Sequence, residues 1–554
     1  MIPKRPIYKL SSHEVSNTPP HLGSQDLWQS DIALQEVIKR EGAAQAVEHL
    51  TEFGKLAGAD ETFDKANQAN RYSPELHAFD RYGMRINQTK FHPAYHDLMR
   101  LAVENEVPNY AWNHPGSGAH VAHGALTYLF HQVEGGVLCP MAMTYSAIPP
   151  LRTTPAIAKD WIPRLLSKHY DSRDIPVEQK TGAMVGMFMT EKQGGSDVRT
   201  NTTEAIPVSL TATGIGQEYQ LSGHKFFCSA PMCDAFLTLA YSAGGLSCFL
   251  VPRWTPEGER NGLHLQRIKD KLGNRSNAST EMELENAYGV MIGEEGRGIR
   301  TIIDMVQHNR IYCANASAGT MRQALVQALH HTQHRHAFGK ALIDQPLMQN
   351  VLADLALETE AAFNLSLRIA RAMDNAAHDE NEAALARIGT AIAKYWVCKR
   401  TPPHVVEALE CHGGPGYIEE SIMPRLYREA PLNSIWEGSG NVMCLDVLRA
   451  MQREPLAIPA LMAELSLAKG GNPALDQVVA VLKKELDKPD DLEYRARGLT
   501  EQLALALQAS LLVRHAPDYV ADAFCASRFG GYHGAFGALP VGCDVGRIIR
   551  RAQG

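Results

Sequence analysis

The order of two residue patterns along the 554-residue chain limits its possible folds more than any other feature. Over the first 182 residues, apolar side chains recur at helical spacing, as in residues 31–40, where Ser30 or Asp31 can cap the helix. Between residues 183 and 291, short β-prone runs alternate with Gly, Pro and Asn, as in a compact β domain. Helical spacing then returns. The sequence therefore predicts an α+β fold, mostly α, with one central β-barrel or sandwich domain.

Four long segments with helical spacing follow the β region, and this number is typical of a helical bundle. The segments are 298–333, 344–374, 381–411 and 441–452. Pro and Gly interrupt the chain after them and indicate a further helical block. The predicted units are an irregular N-terminal arm, 1–25, an N-terminal helical domain, 26–184, a β domain, 185–294, a helical bundle, 295–452, and a C-terminal helical extension, 453–554.

Composition excludes several classes of protein. A hydrophobic content of 45% and a charged content of 21% are ordinary for a globular chain and argue against disorder or a fibrous repeat. The ten cysteines form no CxxC pair, which indicates reduced thiols in the cytoplasm. No metal site is expected, although His330 and His334 have i,i+4 spacing. No signal peptide or membrane span is predicted. The net charge of −7 neither indicates nor excludes nucleic acid.

Five motifs lie in a fixed order along this pattern. They are TEKQGGSD at 190–197, GHKFFCS at 223–229, RHAFG at 335–339, GGPGY at 413–417 and WEGS at 436–439. With these motifs in this order, the chain resembles the acyl-CoA dehydrogenase superfamily over roughly residues 30–450. The resemblance implies the fold of that superfamily, non-covalent FAD as cofactor and an acyl-CoA thioester as a candidate substrate.

Other features resemble one branch of the superfamily, whose members are associated with DNA and with the response to alkylation. These features are the arm, the segments 191–195 and 270–279, and the C-terminal extension. Two functions stay open. One is an acyl-CoA dehydrogenase-like flavoprotein that binds double-stranded DNA largely without sequence specificity and has weak activity on an isovaleryl-CoA-type thioester. The other is a metabolic dehydrogenase of short or branched acyl-CoA with no role on DNA. A tetrameric scaffold is a third interpretation.

A flavin needs hydrogen bonds along its pyrimidine edge, a donor to the nitrogen that accepts hydride, and a wall to stack on. Thr190 and Ser196 lie in a glycine-flanked turn after a strand, where backbone amides and hydroxyls can approach a ligand closely. The resemblance places Phe227 against the flavin ring and Ser229, in place of the commoner Thr, as the donor. Taken alone, residues 223–229 indicate an ordinary hairpin strand with a buried Phe pair. The expected flavin contacts are Met189, Thr190, Gly195, Ser196, Phe227, Cys228, Ser229, Gly414, Ser439 and Asn441.

Three further residues match positions that, in the superfamily, reach the adenine side of the flavin held by a neighbouring subunit. They are Arg335, Phe338 and Gln345. The match implies sites shared between at least two subunits, and we expect a homotetramer built as a dimer of dimers. Taken alone, Arg335 is equally a solvated charge at a helix end, where the helix dipole favours it.

Glu437 is the expected catalytic base. Dehydrogenation of a thioester requires removal of a weakly acidic α-proton, and a partly desolvated carboxylate has the raised basicity that this step needs. Taken alone, Glu437 is a surface loop carboxylate. Ser439 and Asn441 begin the helix that follows, whose amino end suits flavin phosphate or ribityl oxygens. Arg310 matches a family arginine near the active centre and is the expected substrate contact, although its neighbours 307–309 depart from the family pattern.

Predicted contacts with DNA rest on a few arginines, because acidic and basic residues balance across the extension. Phosphate contacts need such cations gathered on one face, and the symmetry of an oligomer can gather several copies. The candidates are Arg449, Arg528, Arg550 and Arg551. For each of them, a solvated surface charge is the simpler interpretation.

Overall fold

The computed structural model describes residues 8–488, 490–531 and 534–554. The first part of the chain folds into helices and one hairpin. The helices are α1 (Ile32–Arg40), α2 (Val47–Ala57), α3 (Asp60–Arg71), α4 (Pro93–Glu104), α5 (Tyr110–Asn113), α6 (Ala119–His131), α7 (Leu138–Arg152) and α8 (Pro155–Leu165), and the hairpin strands are β1 (Glu75–Phe79) and β2 (Arg85–Lys90). Asp31 caps α1, because its carboxylate accepts the backbone N–H of Leu34 at 3.0 Å.

The hairpin β1–β2 differs from the sequence prediction, which placed only helices in this region. Its turn is closed by Asp80, whose carboxylate accepts the backbone N–H groups of Tyr82 and Met84 at 2.8 and 2.9 Å. Gly83 completes the turn with a φ of 80°. The strands are short and mostly half-buried or exposed. They therefore lack the clear apolar alternation that identifies a strand in a sequence.

The middle of the chain forms one seven-stranded sheet. Its strands are β3 (Val185–Phe188), β4 (Glu204–Pro207), β5 (Glu218–Ser229), β6 (Ala235–Ser242), β7 (Gly245–Pro252), β8 (Leu263–Ile268) and β9 (Ser279–Ile292). The pairings β6–β4, β4–β5, β5–β9, β9–β7 and β7–β6 close on themselves, so five strands make a barrel. Strand β3 pairs with β6 in parallel, and β8 pairs with β9. The β-prone runs of the sequence fall in β3, β5, β6, β7 and β9, whereas β4 and β8 were not predicted.

A helical bundle follows the barrel. It contains α9 (Gly298–His334), the small hairpin of β10 (His336–Ala337) and β11 (Lys340–Ala341), α10 (Pro346–Asn375), α11 (Glu380–Glu410), α12 (Met423–Glu429) and α13 (Gly440–Arg453). Each of the four helices predicted between residues 298 and 452 exists, with its ends within two residues of the predicted ones. Long, strongly periodic segments are the elements that sequence patterns identify best.

The C-terminal extension is helical and shares the core of the bundle. Its helices are α14 (Ala457–Ser466), α15 (Pro473–Leu486), α16 (Leu492–His515), α17 (Asp518–Phe529) and α18 (Val545–Gln553). Arg368 of α10 binds Glu464 of α14 at 2.8 Å, and both side chains are buried. Apolar residues of the extension, such as Leu503 and Phe524, belong to the same buried cluster as the bundle. Within the described ranges, none of the helices has the length and apolar character needed to span a membrane.

Candidate active site

Glu437 lies in a tight loop between α12 and α13. Its backbone is in the left-handed region with a φ of 57°, and the next residue, Gly438, has a φ of 101°. A non-glycine residue in this region is uncommon and persists where the surrounding structure fixes it. On the other side, the indole N–H of Trp436 donates to the Asn433 side chain at 2.8 Å. The loop therefore has a defined backbone shape at the residue that carries the carboxylate.

Two buried cations hold the three carbonyl groups of this loop. The ammonium group of Lys394 in α11 donates to the carbonyl of Trp436 at 2.8 Å and also to the carbonyl of Gly438. The guanidinium of Arg310 in α9 donates to the carbonyl between them, that of Glu437, at 3.1 Å. Lys394 is 1% exposed and Arg310 is 8% exposed. Because hydrogen bonds from charged donors in such surroundings are strong, α9 and α11 fix the loop in place.

The Glu437 carboxyl group is more basic than an ordinary glutamate. Burial raises its pKa, and the nearby positive charges of Arg310 and Lys394 act in the opposite direction. A general base works best when its pKa lies close to the working pH, so this shift favours proton abstraction. These features are those that a general base requires, and the catalytic role of Glu437 stays a prediction.

The side chain of Arg310 is buried beside the loop of Glu437. Its guanidinium donates to Asp446 at 2.8 Å as well as to the carbonyl of Glu437, so its hydrogen bonds are made inside the protein. Asp446 also binds Arg387 at 2.9 Å and Arg449 at 3.1 Å. Arg310 therefore positions the loop of Glu437, and its expected contact with a substrate stays a prediction. Nothing in the sequence around Arg310 indicates Asp446 as its partner.

A second buried ion pair fastens the glycine-rich loop that follows β3. Glu191 accepts the ammonium of Lys225 at 2.8 Å and the hydroxyl of Thr203 at 2.6 Å. Burial alone would raise the pKa of Glu191, but these hydrogen bonds hold it at about 2. The pair leaves Gly195 and Ser196 exposed at the tip of the loop. The sequence analysis did not single out Glu191 or Lys225 for this role, although both lie inside its motifs.

The predicted flavin residues of β3 and β5 lie side by side. The backbone N–H of Phe226 donates to the carbonyl of Thr190 at 2.8 Å, which joins the loop to the strand. The carbonyl of Met189 accepts a hydrogen bond from Asn201 at 2.8 Å. Ser229 at the end of β5 lies opposite Ser279 of β9, with their hydroxyl oxygens 3.0 Å apart. The two motifs thus form one continuous surface.

A bulge in β5 decides which side chains reach that surface. The pairing of β5 with β9 shifts between Lys225 and Cys228. Phe227 is 47% exposed, which rules out the ordinary strand with a buried Phe pair. The side chain of Cys228 is fully buried in the barrel core, which leaves only its backbone for a flavin contact, and that contact stays a prediction. Lys269 lies with its ammonium 4.5 Å from the centre of the Phe227 ring.

The amino end of α13 collects positive charge. Ser439 precedes the helix as its N-cap residue, and Asn441 lies in its first turn. A Cβ atom at Gly440 would lie 3.5 Å from the guanidinium of Arg497 and 3.6 Å from the side chain of Lys399. A helix amino end with two such cations suits an anionic group. Arg497 could not be identified from the sequence, because it lies in the extension, 57 positions after Gly440.

The three residues predicted to reach a neighbouring subunit lie in or beside the hairpin β10–β11. Arg335 donates to the carbonyl of Asn17 at 2.7 Å, and Gln345 donates to the carbonyl of Ala337 at 3.0 Å. Phe338 at the hairpin tip is 97% exposed. Gly414, a predicted flavin contact elsewhere in the chain, lies in an exposed turn. No atom lies within 4 Å of the position that a Cβ would take there. The hydrogen bonds of the hairpin thus join it to the N-terminal arm rather than to the loop of Glu437.

Two of the predicted DNA contacts are committed to ion pairs inside the chain. Arg528 is 4% exposed and binds Asp354 at 2.7 Å, so its prediction as a DNA contact is wrong. The side chain of Arg551 is 9% exposed and binds Glu360 at 3.0 Å. The buried carboxylates of α10 bind these arginines and hold the extension against the bundle. By contrast, Arg449 keeps 52% of its side chain exposed, and Arg550 is exposed.

Known protein families match the N-terminal helical region, the β barrel and the helical bundle separately. Residues 17–172 match the adaptive response protein AidB N-terminal domain, residues 186–287 match the acyl-CoA dehydrogenase middle domain, and residues 296–452 match the acyl-CoA dehydrogenase C-terminal domain. The chain is 46% identical to the putative acyl-CoA dehydrogenase AidB of Escherichia coli strain K12, over 93% of this chain and 94% of that protein. The chain belongs to the AidB family of the acyl-CoA dehydrogenase superfamily.

Solved structures with the same fold include ligand complexes. The crystal structure of Caenorhabditis elegans ACDH-11 in complex with C11-CoA has a TM-score of 0.84 at 27% identity, over 95% of this chain and 94% of that chain. An acyl-CoA dehydrogenase complexed with FAD from Bacillus anthracis has a TM-score of 0.66 at 17% identity, over 92% of this chain and 87% of that chain. At that identity the second comparison concerns the fold alone.

FAD is the non-covalent cofactor of this family, and the residues of this chain fit it. Phe227 offers an exposed aromatic face, and Ser229 offers a hydroxyl at the end of the same strand. The open turn at Gly414 and the cationic amino end of α13 suit the phosphates and the ribityl chain. Bound there, FAD supplies the acceptor for a hydride.

Proposed function

We propose that this protein uses FAD to dehydrogenate a short or branched acyl-CoA thioester, with Glu437 as the base. The observation that carries the proposal is the loop of Glu437, whose three carbonyls are held by Lys394 and Arg310 while burial raises the pKa of its carboxyl group. Such a fixed and basic carboxylate is what removal of an α-proton requires. The dehydrogenase activity is expected to be weak, and the protein is expected to work in the cytoplasm.

In the proposed reaction, the bond between the α-carbon and its proton breaks, and the proton passes to a carboxylate oxygen of Glu437. The β-carbon loses a hydride, for which bound FAD would be the acceptor, and a double bond forms between the α- and β-carbons. Lys394 and Arg310 keep their hydrogen bonds to the loop carbonyls and so hold the carboxylate in place. The product is an α,β-unsaturated thioester.

A groove at the start of α9 supports coenzyme A as the carrier of the acyl group. It has a volume of about 580 Å³, and Arg199, Arg297 and Arg300 line it together with Tyr241. Three arginines beside a helix amino end attract the phosphates of a nucleotide. Arg300 and Arg310 are ten residues apart on the same helix, which is about 15 Å at 1.5 Å per residue. A ligand with its phosphates in the groove can therefore extend along α9 towards the loop of Glu437.

The test mixes the purified, FAD-loaded protein with butyryl-CoA, isobutyryl-CoA or isovaleryl-CoA without oxygen and follows the loss of flavin absorbance. We expect slow reduction by the wild type and a loss of at least about 100-fold in Glu437→Gln, which keeps FAD bound. Glu420→Gln removes an exposed carboxylate of the segment before α12 and is the matched control. Full reduction in Glu437→Gln, or no reduction of the wild type by any of the three, contradicts the proposal.

We also propose that the protein binds double-stranded DNA in a response to alkylation, largely without sequence specificity. Membership of the AidB family supports this role, and the exposed cations Arg449, Arg550, Lys483 and Lys484 supply groups for phosphate contact. Arg550 lies on α18, which Ile548 and Ile549 anchor to the core. The buried Arg528 takes no part in this proposal.

Affinity for a random-sequence duplex across a salt titration tests the DNA role. We expect Arg449→Ala combined with Arg550→Ala to weaken binding and to lower the salt slope by about one for each lost phosphate contact. Arg81→Ala, an exposed arginine of the β1–β2 turn, is the control. No binding at low salt leaves the protein a metabolic dehydrogenase.

Exposed apolar side chains support an assembly of several copies, and we propose a homotetramer built as a dimer of dimers. Phe338 is 97% exposed, Leu347 is 83% exposed and Tyr417 is 82% exposed. Large apolar side chains in such positions are typical of protein interfaces. Light scattering measures the mass directly, and a monomer at micromolar concentration contradicts the assembly.

A further inference from the structure

We propose that the N-terminal arm positions the hairpin β10–β11 for cofactor binding, with Asn17 as the positioning residue. The inference rests on the proposed FAD-dependent function and on the prediction that Arg335 and Phe338, at the hairpin, reach the FAD of a neighbouring subunit. The arm then affects the FAD site indirectly, by positioning the hairpin.

Asn17 pairs with the hairpin as a strand would. Its side-chain amide donates to the carbonyl of His336 at 2.8 Å and accepts the backbone N–H of the same residue at 2.7 Å. The carbonyl of Asn17 accepts the guanidinium of Arg335 at 2.7 Å. Three hydrogen bonds therefore join one arm residue to two successive hairpin residues more than 300 positions away.

The hairpin needs outside support because each of its strands has only two residues. A two-stranded hairpin of this size is marginal by itself in water. Its tip contributes no packing, since Phe338 is 97% exposed and has a φ of 53°, with Gly339 at 85°. The partners on its stem are Asn17 and Gln345, which donates to the carbonyl of Ala337. The direction in which Phe338 points is thus set from the stem.

The arm contacts the hairpin through Asn17 and the first residue of α3 through His21 and Ser24. His21 lies 2.7 Å from the carboxylate of Asp60, the first residue of α3, and the hydroxyl of Ser24 accepts the backbone N–H of Asp60 at 3.1 Å. Asn17 itself has a φ of 55°, a conformation that asparagine and glycine adopt more readily than other residues. Both the backbone and the side chain at position 17 therefore suit the contact. The arm ties the N-terminal domain to the hairpin.

The test measures the affinity of the full-length apoprotein for FAD by quenching of flavin fluorescence. Asn17→Gly keeps the left-handed backbone accessible and removes only the side-chain amide. We expect about tenfold weaker FAD binding, because two hydrogen bonds are lost. Thr18→Ala, which removes a neighbouring exposed hydroxyl, should bind FAD like the wild type. The melting temperature of the apoprotein should stay unchanged in both variants.

A double variant separates positioning from general stability. If Asn17 acts through the hairpin, Asn17→Gly should have little further effect on FAD affinity once Arg335→Ala is present. Wild-type affinity in Asn17→Gly, or full additivity with Arg335→Ala, overturns the inference while the proposed function stands. A wild-type protein that takes up no FAD contradicts both.

Discussion

The ammonium group of Lys394 lies 2.8 Å from the carbonyl oxygen of Trp436, inside the protein, and the same group bonds the carbonyl of Gly438. A lysine on α11 therefore determines the backbone on both sides of Glu437. Sequence patterns describe α11 as an apolar bundle helix, and its one buried lysine next to Tyr395 and Trp396 is the signal that could have identified this role. A buried charge without a partner is costly, so its presence predicts a nearby group to bind.

Replacing Lys394 should disturb the site more than the fold. In Lys394→Met the carbonyls of Trp436 and Gly438 lose a buried donor, which costs about 1–3 kcal/mol for each group left unpaired. The carboxylate of Glu437 then loses its orientation, and we expect flavin reduction by isovaleryl-CoA to slow by roughly 10–100-fold. Rapid-mixing absorbance measures the rate, and urea unfolding measures the stability. Lys39→Met on the exposed face of α1 is the control. Equal rates in the two variants would refute the role of Lys394 in holding the loop of Glu437.

The reduction rate should rise with pH through the pKa of Glu437. Only the deprotonated carboxylate can accept the α-proton, and burial raises the pKa of this group above its ordinary value of 4.5. The rate is therefore lowest on the acid side and reaches a plateau above the raised pKa. The measurement is the rate constant for flavin reduction at saturating thioester across pH. A rate that is flat from pH 4 to pH 8 would be inconsistent with this assignment.

The buried pair of Glu191 and Lys225 should make the fold sensitive to acid. The pKa of Glu191 is about 2 in the folded protein against an ordinary value of 4.5. Its contribution to stability is therefore complete above the ordinary value and is lost as the pH falls towards 2. In Glu191→Gln the buried Lys225 loses its partner, which we expect to cost about 3–5 kcal/mol at pH 7. Urea unfolding at several pH values measures both effects, and an acid dependence equal to that of the wild type would argue against this pair.

Arg528 should matter for stability and not for DNA. Its removal leaves the buried carboxylates of Asp354 and Glu358 without this cation, and we expect Arg528→Ala to cost about 3–5 kcal/mol. The exposed Arg550→Ala should change stability by less than about 0.5 kcal/mol. Chemical unfolding compares the two variants. A stable Arg528→Ala protein that has lost DNA affinity would restore the surface role.

The sequence predicted those elements whose signal is local. Helix α9 follows from uninterrupted periodicity, and the cap at Asp31 follows from one residue type before an apolar run. The errors have non-local causes. The partners of Arg528 lie some 170 positions away, so its basic character looked like a surface charge. The bulge in β5 accompanies the exposure of Phe227, which the residues alone placed in a buried pair, and no residue type in that strand indicates the bulge.

The role of Glu437 as the base is tested by exchange of the α-protons of acetyl-CoA in D₂O, which NMR follows. Acetyl-CoA has α-protons but no β-carbon, so proton removal is observed without oxidation. We expect the FAD-loaded wild type to speed exchange and Glu437→Gln not to do so. Exchange at the wild-type rate in Glu437→Gln would show that another group is the base and would contradict the role assigned to Glu437.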